Sequence, residues 1–328
     1  MPEENAHKFL FAIVLLGLVF FIGRDASRVS GENSGREVQV TSLAQVMAAP
    51  FAEEAQTPPL AQVPPRATAV AAADAPTDAF LRTSAVAVPE LHVRAALAAD
   101  LQTGQELFAL NPYQRWPIAS LTKLMTAVVA KTEIGPEKPV LVSEAAIAAD
   151  GPAGSFGTGE KYLARDLIRS IIAVSSNDAA EALAEHYGRK GFVAKMNEVA
   201  QGLGMIQTNF ADPTGISSLD QSSPEDLRKL AAFLYEEHPD VLAAARSKET
   251  KIQELASGAV RTLTSINAFS GRPEFLGGKT GYTDEAGGNL VSIFSYLHRP
   301  VFIVVLGTED RFGETEKLFE WLKKSYAR

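Results

Sequence analysis

The sequence contains no cysteine. That absence removes disulfides, thiolate metal sites, a cysteine nucleophile and a lipid-modified N-terminal cysteine together, and it leaves the redox compartment unread. Histidine is scarce, and His7, His92, His186, His238 and His298 stand apart with no H-E-x-x-H or comparable spacing. No metal and no cofactor is therefore expected. Runs of lysine or arginine are also missing, and the formal charge is −8. A nucleic-acid partner, which needs a basic patch, is excluded on that ground. The 328 residues suffice for one large or two ordinary domains, less whatever does not fold.

Long apolar runs are rare as well. The prominent one, Phe9 to Gly23, lies between Lys8 and Arg24. As a helix it would cover roughly 22 Å, short of the ~30 Å hydrocarbon core but workable with its flanks. A secretory signal has the same length, but no small-x-small cleavage site follows closely. Residues 1–24 are read as an uncleaved signal anchor, with a cleaved signal as the rival. The flanking charges do not fix its orientation. Residues 25–85 then turn rich in Ala, Pro, Thr, Ser, Gln and Glu. Pro50, Pro58, Pro59, Pro64, Pro65 and Pro76 forbid long helices there, so the segment reads as a disordered tether.

A folded domain is expected over 86–328. Val93 to Ala99 and Glu106 to Leu110 flank a glycine turn as a hairpin would. Leu121, Leu124, Met125, Val128 and Val129 recur with the helical period, and the spacing predicts a helix starting near Ser120. Leu163 to Val174 predicts a second amphipathic helix, broken at Ser175-Ser176-Asn177, with a third from Asp178 to His186. Further helices are expected around Phe192 to Leu203, Pro224 to Glu236 and Leu318 to Tyr326. Gly278 to Tyr282, Asn289 to Leu297 and Pro300 to Gly307 read as strands. Strands at both ends with helices between them imply a sheet assembled from the two ends of the domain.

Three short patterns carry possible chemistry. Ser120 and Lys123 lie at i and i+3, on one helix face. Serine needs a base within hydrogen-bond reach, and a lysine in a dry site can be that base. The plain alternative is a helix cap beside a lysine that snorkels outward. Ser175-Ser176-Asn177 sits in a turn, and reads equally as a helix stop followed by a fresh cap. Lys279-Thr280-Gly281 lies on a strand, where an edge lysine beside a glycine turn is common. Each pattern is weak alone.

In order they read S-x-x-K, S-x-N and K-T-G, the trio of penicillin-binding proteins and class A β-lactamases. The words around them resemble the D-alanyl-D-alanine carboxypeptidase family: Ala119 to Ala127, Ser176 to Ala180 and Lys279 to Gly287. Asp212-Pro213-Thr214-Gly215-Ile216, ahead of Ser223-Pro224-Glu225-Asp226-Leu227, resembles a further family segment. The resemblance covers about residues 86 to 328. It implies an α/β (α+β) chain with the penicillin-binding protein/β-lactamase-like transpeptidase fold, a mainly antiparallel sheet flanked by helices plus a helical subdomain. It implies Ser120 as nucleophile, Lys123 as its base, Ser175 as a proton relay and Asn177 as a ligand of the substrate amide. Lys279 would supply positive potential and Thr280 would help hold the terminal carboxylate. The N–H groups of Ser120 and Tyr282, beside Gly281, would form an oxyanion hole.

The implied substrate is a peptidoglycan stem peptide ending in D-Ala-D-Ala, with β-lactam antibiotics as covalent inhibitors. The implied location is the outer side of the cytoplasmic membrane, held there by the N-terminal helix. Class A β-lactamases carry an E-x-x-L-N glutamate after the second motif, and no such segment lies between Asn177 and Lys279. Larger carboxypeptidases continue into a β-rich domain and an amphipathic anchor helix, whereas here the anchor is expected at the N-terminal end. A DD-endopeptidase of the same family remains open as an alternative. A class A-like β-lactamase and an inactive wall-binding scaffold are less favoured.

Overall fold

The computed structural model describes residues 79–151 and 154–327, all within the unit Val70–Arg328. The expected anchor (1–24) and most of the expected tether (25–85) lie outside the described residues. Among the described residues, no helix is long and apolar enough to cross a membrane.

The chain enters with β1 (Leu81–Arg82), then the hairpin β2 (Ala95–Asp100) and β3 (Glu106–Leu110), and the short β4 (Trp116–Pro117). A 3-10 turn, Ala119–Thr122, leads into α1 (Lys123–Val129), which ends in a π-turn, Ala130–Ile134. The helix expected from Ser120 therefore begins one turn later, because Ala119 is left-handed (φ 48°) and forces a tight entry. The helical part follows: β5 (Pro139–Leu141), α2 (Glu144–Ile147), β6 (Lys161–Leu163), α3 (Ala164–Ala173), α4 (Asn177–Tyr187), α5 (Arg189–Gly202) and β7 (Gln221–Ser222). Next come α6 (Pro224–Glu237), α7 (Pro239–Arg246) and the hairpin β8 (Glu249–Gln253) and β9 (Val260–Thr264). The chain closes with β10 (Phe275–Thr283), β11 (Gly287–Tyr296), β12 (Arg299–Thr308), α8 (Arg311–Ser325) and β13 (Tyr326–Ala327).

The main sheet is antiparallel, in the order β10-β11-β12-β2-β3. Its first and last strands along the chain meet where Ala98 pairs Ile303, as the expectation of a two-ended sheet required. β12 reads Pro-Val-Phe-Ile-Val-Val-Leu and is buried on both faces, the pattern of a central strand covered on either side. Helix α8 packs on β11 and β12, with Phe319 stacked on Phe294 at 4.3 Å between ring centroids. Helix α6 runs against β2 and β12. Strand β10 is one of the sheet's two edges, opposite β3, and the 3-10 turn bearing Ser120 and helix α7 lie against it.

The helix starts have identifiable caps. Ser176 accepts from Ala179 N at 3.1 Å, Ser223 from Asp226 N at 3.2 Å with Pro224 in the first turn, and Asp310 from Gly313 N at 2.8 Å. Helix α3 buries Leu167, Ile168, Ile171 and Ile172 on one stripe.

The folded chain starts upstream of the boundary drawn after residue 85. Phe80 is buried and stacks on Tyr296, Gln105 bonds both its N–H and its carbonyl at 2.8 Å, and β1 pairs with β13. Burying one phenylalanine stabilises by about 2–3 kcal/mol. A chain beginning at residue 79 should keep a single cooperative unfolding transition. One beginning at residue 86 should melt roughly 5–10 °C lower. Equal melting temperatures in calorimetry would show that this segment adds nothing to the fold.

Candidate active site

In the 3-10 turn, residues three apart eclipse one another, which sets Ser120 and Lys123 face to face. Lys123 has no exposed surface and all its polar contacts are made inside. Its Nζ lies 2.9 Å from Ser120 Oγ, 2.6 Å from Asn177 Oδ1 and 2.6 Å from the Thr214 carbonyl. The snorkelling alternative is thereby removed, and so is the capping one, since Ser120 makes no cap bond. Burial pushes the Lys123 ammonium down to about 7, against the opposing pull of nearby carboxyls, Asp212 foremost.

That value has a geometric consequence. A neutral amine has two N–H donors and one lone pair. The Thr214 carbonyl and Asn177 Oδ1 are acceptors only, so each must receive an N–H. The lone pair is left pointing at Ser120 Oγ, the one neighbour that can donate. In its neutral form Lys123 thus presents a lone pair to a hydroxyl 2.9 Å away.

The opposite wall comes from the break between α3 and α4. Ser176, the middle residue, caps α4 and leaves its neighbours for other contacts. Ser175 adopts a left-handed backbone (φ 59°), which costs a non-glycine residue on the order of 1–3 kcal/mol. Its Oγ accepts from Lys279 Nζ at 2.9 Å. Asn177 donates its amide N–H to the Asp150 carbonyl while its oxygen takes Lys123, so both ends of the side chain are already held by protein.

Strand β10 contributes the third motif. Lys279 is not a solvated edge residue: it is fully buried, donates to Ser175 Oγ and to the Thr280 carbonyl at 2.7 Å, and is pushed well below the usual lysine range by burial, then by Lys123 and Arg311. Gly281 allows the strand to close on the serine turn. A Cβ there would lie 2.8 Å from the Ile118 carbonyl and 3.2 Å from the Ser120 nitrogen. Tyr282 is 61% exposed at the rim.

These elements enclose a cleft of about 430 Å³ lined by Ser120, Ser175, Asn177, Thr280, Gly281, Tyr282 and, from the start of α8, Arg311. Lys123 and Lys279 stand behind this lining. Arg311 was not foreseen from the sequence. One Nη donates to the Gly281 carbonyl at 3.3 Å, and its Nε is buried with no partner among the described residues. Burial lowers its proton affinity, yet a guanidinium stays charged at any working pH. It is therefore the cation that lines the cleft. A larger open depression of about 780 Å³, lined in part by Asp284 and Asp310, contains none of Ser120, Lys123, Ser175, Asn177, Lys279 and Thr280. Among the described residues no cluster of three His, Asp or Glu side chains is arranged to hold a metal.

Residues 82–310 match the family model described as D-alanyl-D-alanine carboxypeptidase, peptidase S11. The chain is 32% identical over 246 residues to a D-alanyl-D-alanine endopeptidase of Pseudomonas aeruginosa, covering 71% of this chain and 78% of that protein. It is 32% identical over 254 residues to the D-alanyl-D-alanine carboxypeptidase DacA of Haemophilus influenzae, covering 72% of this chain and 63% of that protein. Among solved structures it is similar to the Streptomyces K15 DD-transpeptidase, with 25% identity and a TM-score of 0.67 over 72% of this chain and 98% of that one.

The lysine geometry sets a pH dependence. Lys123 must be neutral to take the Ser120 proton, and its pKa lies at about 7. Reaction of Ser120 with an activated acyl reagent should fall about tenfold per pH unit below that value and level off above it. A rate constant flat from pH 5 to 9 would show that Lys123 is not the base.

Proposed function

The chain belongs to the D-alanyl-D-alanine carboxypeptidase family of serine peptidases, and from that premise we propose that it cleaves the D-Ala-D-Ala bond of peptidoglycan stem peptides through an acyl-enzyme on Ser120. The observation that carries this reading is the buried Lys123 amine, oriented by two acceptors so that its lone pair meets the Ser120 hydroxyl.

The chemistry follows from that arrangement. As Ser120 Oγ attacks the scissile carbonyl, its proton passes to Lys123 Nζ. Negative charge develops on the carbonyl oxygen, and the N–H groups of Ser120 and Tyr282 receive it where β10 closes on the serine turn. A donor fixed in this way is worth about 3 kcal/mol in the transition state. Lys123 returns the proton to the departing D-alanine amine, directly or through Ser175, whose hydroxyl Lys279 holds in place. Water then attacks the acyl ester with Lys123 again as base.

The terminal carboxylate of the substrate needs a fixed cation in the cleft. Burial pushes Lys279 well below the usual lysine range, and it spends its contacts on Ser175 and Thr280. Arg311, charged and with an unpartnered Nε, is better suited, with the Thr280 hydroxyl beside it. Lys279 then acts by holding Ser175 rather than by touching the carboxylate.

β-Lactams acylate the same serine and remain, because the glutamate of class A β-lactamases has no counterpart between Asn177 and Lys279. The relatives carry both carboxypeptidase and endopeptidase names, and the same machinery serves either. The two activities differ in whether the leaving amine belongs to a free D-alanine or to a second stem peptide. Mass analysis of products from monomeric pentapeptides and from cross-linked dimers separates them. The substrate places the enzyme outside the cytoplasmic membrane, and the apolar run Phe9 to Gly23 is proposed as its signal anchor.

Ser120→Ala should abolish both covalent labelling by fluorescent penicillin and D-alanine release, with the fold retained. Labelling of that variant would place the nucleophile elsewhere. Arg311→Leu should lower kcat/KM for a D-Ala-D-Ala peptide about 100-fold, the value of a lost charge-assisted hydrogen bond. It should also erase the preference for the free acid over its C-terminal amide. Retention of the wild-type preference would move the carboxylate away from Arg311.

A further inference from the structure

The segment 212–217 carries no nucleophile or cation, yet its Thr214 carbonyl is one of the two acceptors that aim Lys123. What fixes that carbonyl is Asp212. One of its oxygens accepts from Thr214 N (2.6 Å), Thr214 Oγ1 (2.6 Å) and Gly215 N (2.7 Å), and the other from Ser217 N (2.7 Å). The turn so formed presses on the serine turn. Gly215 has φ 82°, and a Cβ on it would lie 2.0 Å from the carbonyl oxygen of Ala119. Asp220 stands behind Asp212, accepting from Ala211 N at 2.7 Å and Asp212 N at 3.3 Å, while its second oxygen is buried and receives no N–H or O–H among the described residues, which leaves it to carry a proton itself.

We propose that Asp212 is a positioning residue for proton transfer at Lys123: its carboxyl group shapes the 212–217 turn and holds the Thr214 carbonyl on Nζ, with Asp220 packed behind it.

Two buried carboxyls side by side do not both ionise. Asp212 has the donors: burial pushes it up, but hydrogen bonds from Asp220, Thr214 and the Ser217 and Thr214 N–H groups outweigh burial and hold it low. Asp220 is pushed up by burial and by Asp212, so it keeps the shared proton. The other charged groups around Lys123 are Glu181 on α4, which is ion-paired with Arg189 at 2.8 Å, and Lys279 beyond Ser175. Of these, Asp212 is the one bonded to the residue that touches Nζ.

The inference rests on Lys123 being the base, and the test separates the two. Full-length Asp220→Asn keeps the acceptor and offers N–H where the protonated acid offered O–H. Its penicillin acylation rate at pH 7 should stay within about threefold of wild type, the loss of no more than one modest hydrogen bond. Asp212→Asn places a donor against Ser217 N and should lower the limiting acylation rate roughly 30-fold or more, with half-saturation unmoved because substrate does not touch it. The acid limb of the pH profile should lie about one unit lower in Asp212→Asn/Asp220→Asn than in Asp220→Asn, since the double variant removes the charge that supports Lys123. Equal rates in the two single variants, or coincident limbs, overturn the proposal. Lys123→Ala that still acylates overturns the reading of the base instead. Should Asp212→Asn fail to fold, carboxyl-13C NMR of aspartate-labelled wild type decides. Asp220 should hold its proton at neutral pH while Asp212 is ionised, and an ordinary titration of both near pH 4 overturns the pairing.

Discussion

A lysine with no exposed surface is the constraint around which the rest is arranged. Burying an ammonium without partners is prohibitive, and the usual outcome is loss of the proton. Here the loss is useful only if the neutral amine also faces one way. Three elements far apart in sequence provide that orientation: the 3-10 turn gives Ser120, α4 gives Asn177 Oδ1, and the 212–217 turn gives the Thr214 carbonyl. Each has to be held to a few tenths of an ångström. Much of the fold between β4 and α6 reads as the means of holding them.

The cost of this precision appears in the backbone. Ala119 and Ser175 are non-glycine residues in the left-handed region, one directly before Ser120 and one in the opposing wall. Such conformations persist only where surrounding structure over-determines them. The turn from Ile118 to Leu121 is wedged between β10, through Gly281 against Ile118 and Ser120, and the 212–217 turn, through Gly215 against Ala119. Both glycines stand where a single methyl group would strike main-chain oxygen. The main sheet, buried on both faces along β12, is the rigid body against which the wedge acts.

What could be read from the sequence was what is local. The β11 and β12 strands announce themselves by continuous apolar runs, and α3 by its stripe. Ser120, Lys123, Ser175, Asn177 and Lys279 sit in short motifs, and the structure brings all five together. The hairpin of β8 and β9 stayed hidden because it fully buries only Ile252 and Leu263, too little for a period to show. Helix α8 was expected to start at Leu318 but begins at Arg311, since Gly313 and Thr315 weaken its first turn and the Asp310 cap compensates. Arg311 was invisible for the same reason. A lone arginine at an unrecognised helix start carries no motif. The Thr214 carbonyl was beyond reach in principle, because a backbone oxygen has no letter of its own.

The division of charge in the cleft follows from burial rather than residue type. Three basic side chains converge on it, and three charges there would repel one another in a poorly screened site. Lys123 and Lys279 can shed protons when desolvated, and both are driven down by burial. Arginine cannot. The side chain that keeps its charge is therefore the arginine on the cleft wall, and those that lose protons most readily are the lysines behind it. Ser175 is bonded to Lys279 and lines the cleft. On the proposed mechanism, a proton taken up by Lys123 can pass to the Ser175 hydroxyl, which a second buried amine holds from its far side. Exchanging the lysine and arginine positions would keep the formal charge of the site and destroy that separation, which is why the two kinds of cation are not interchangeable here.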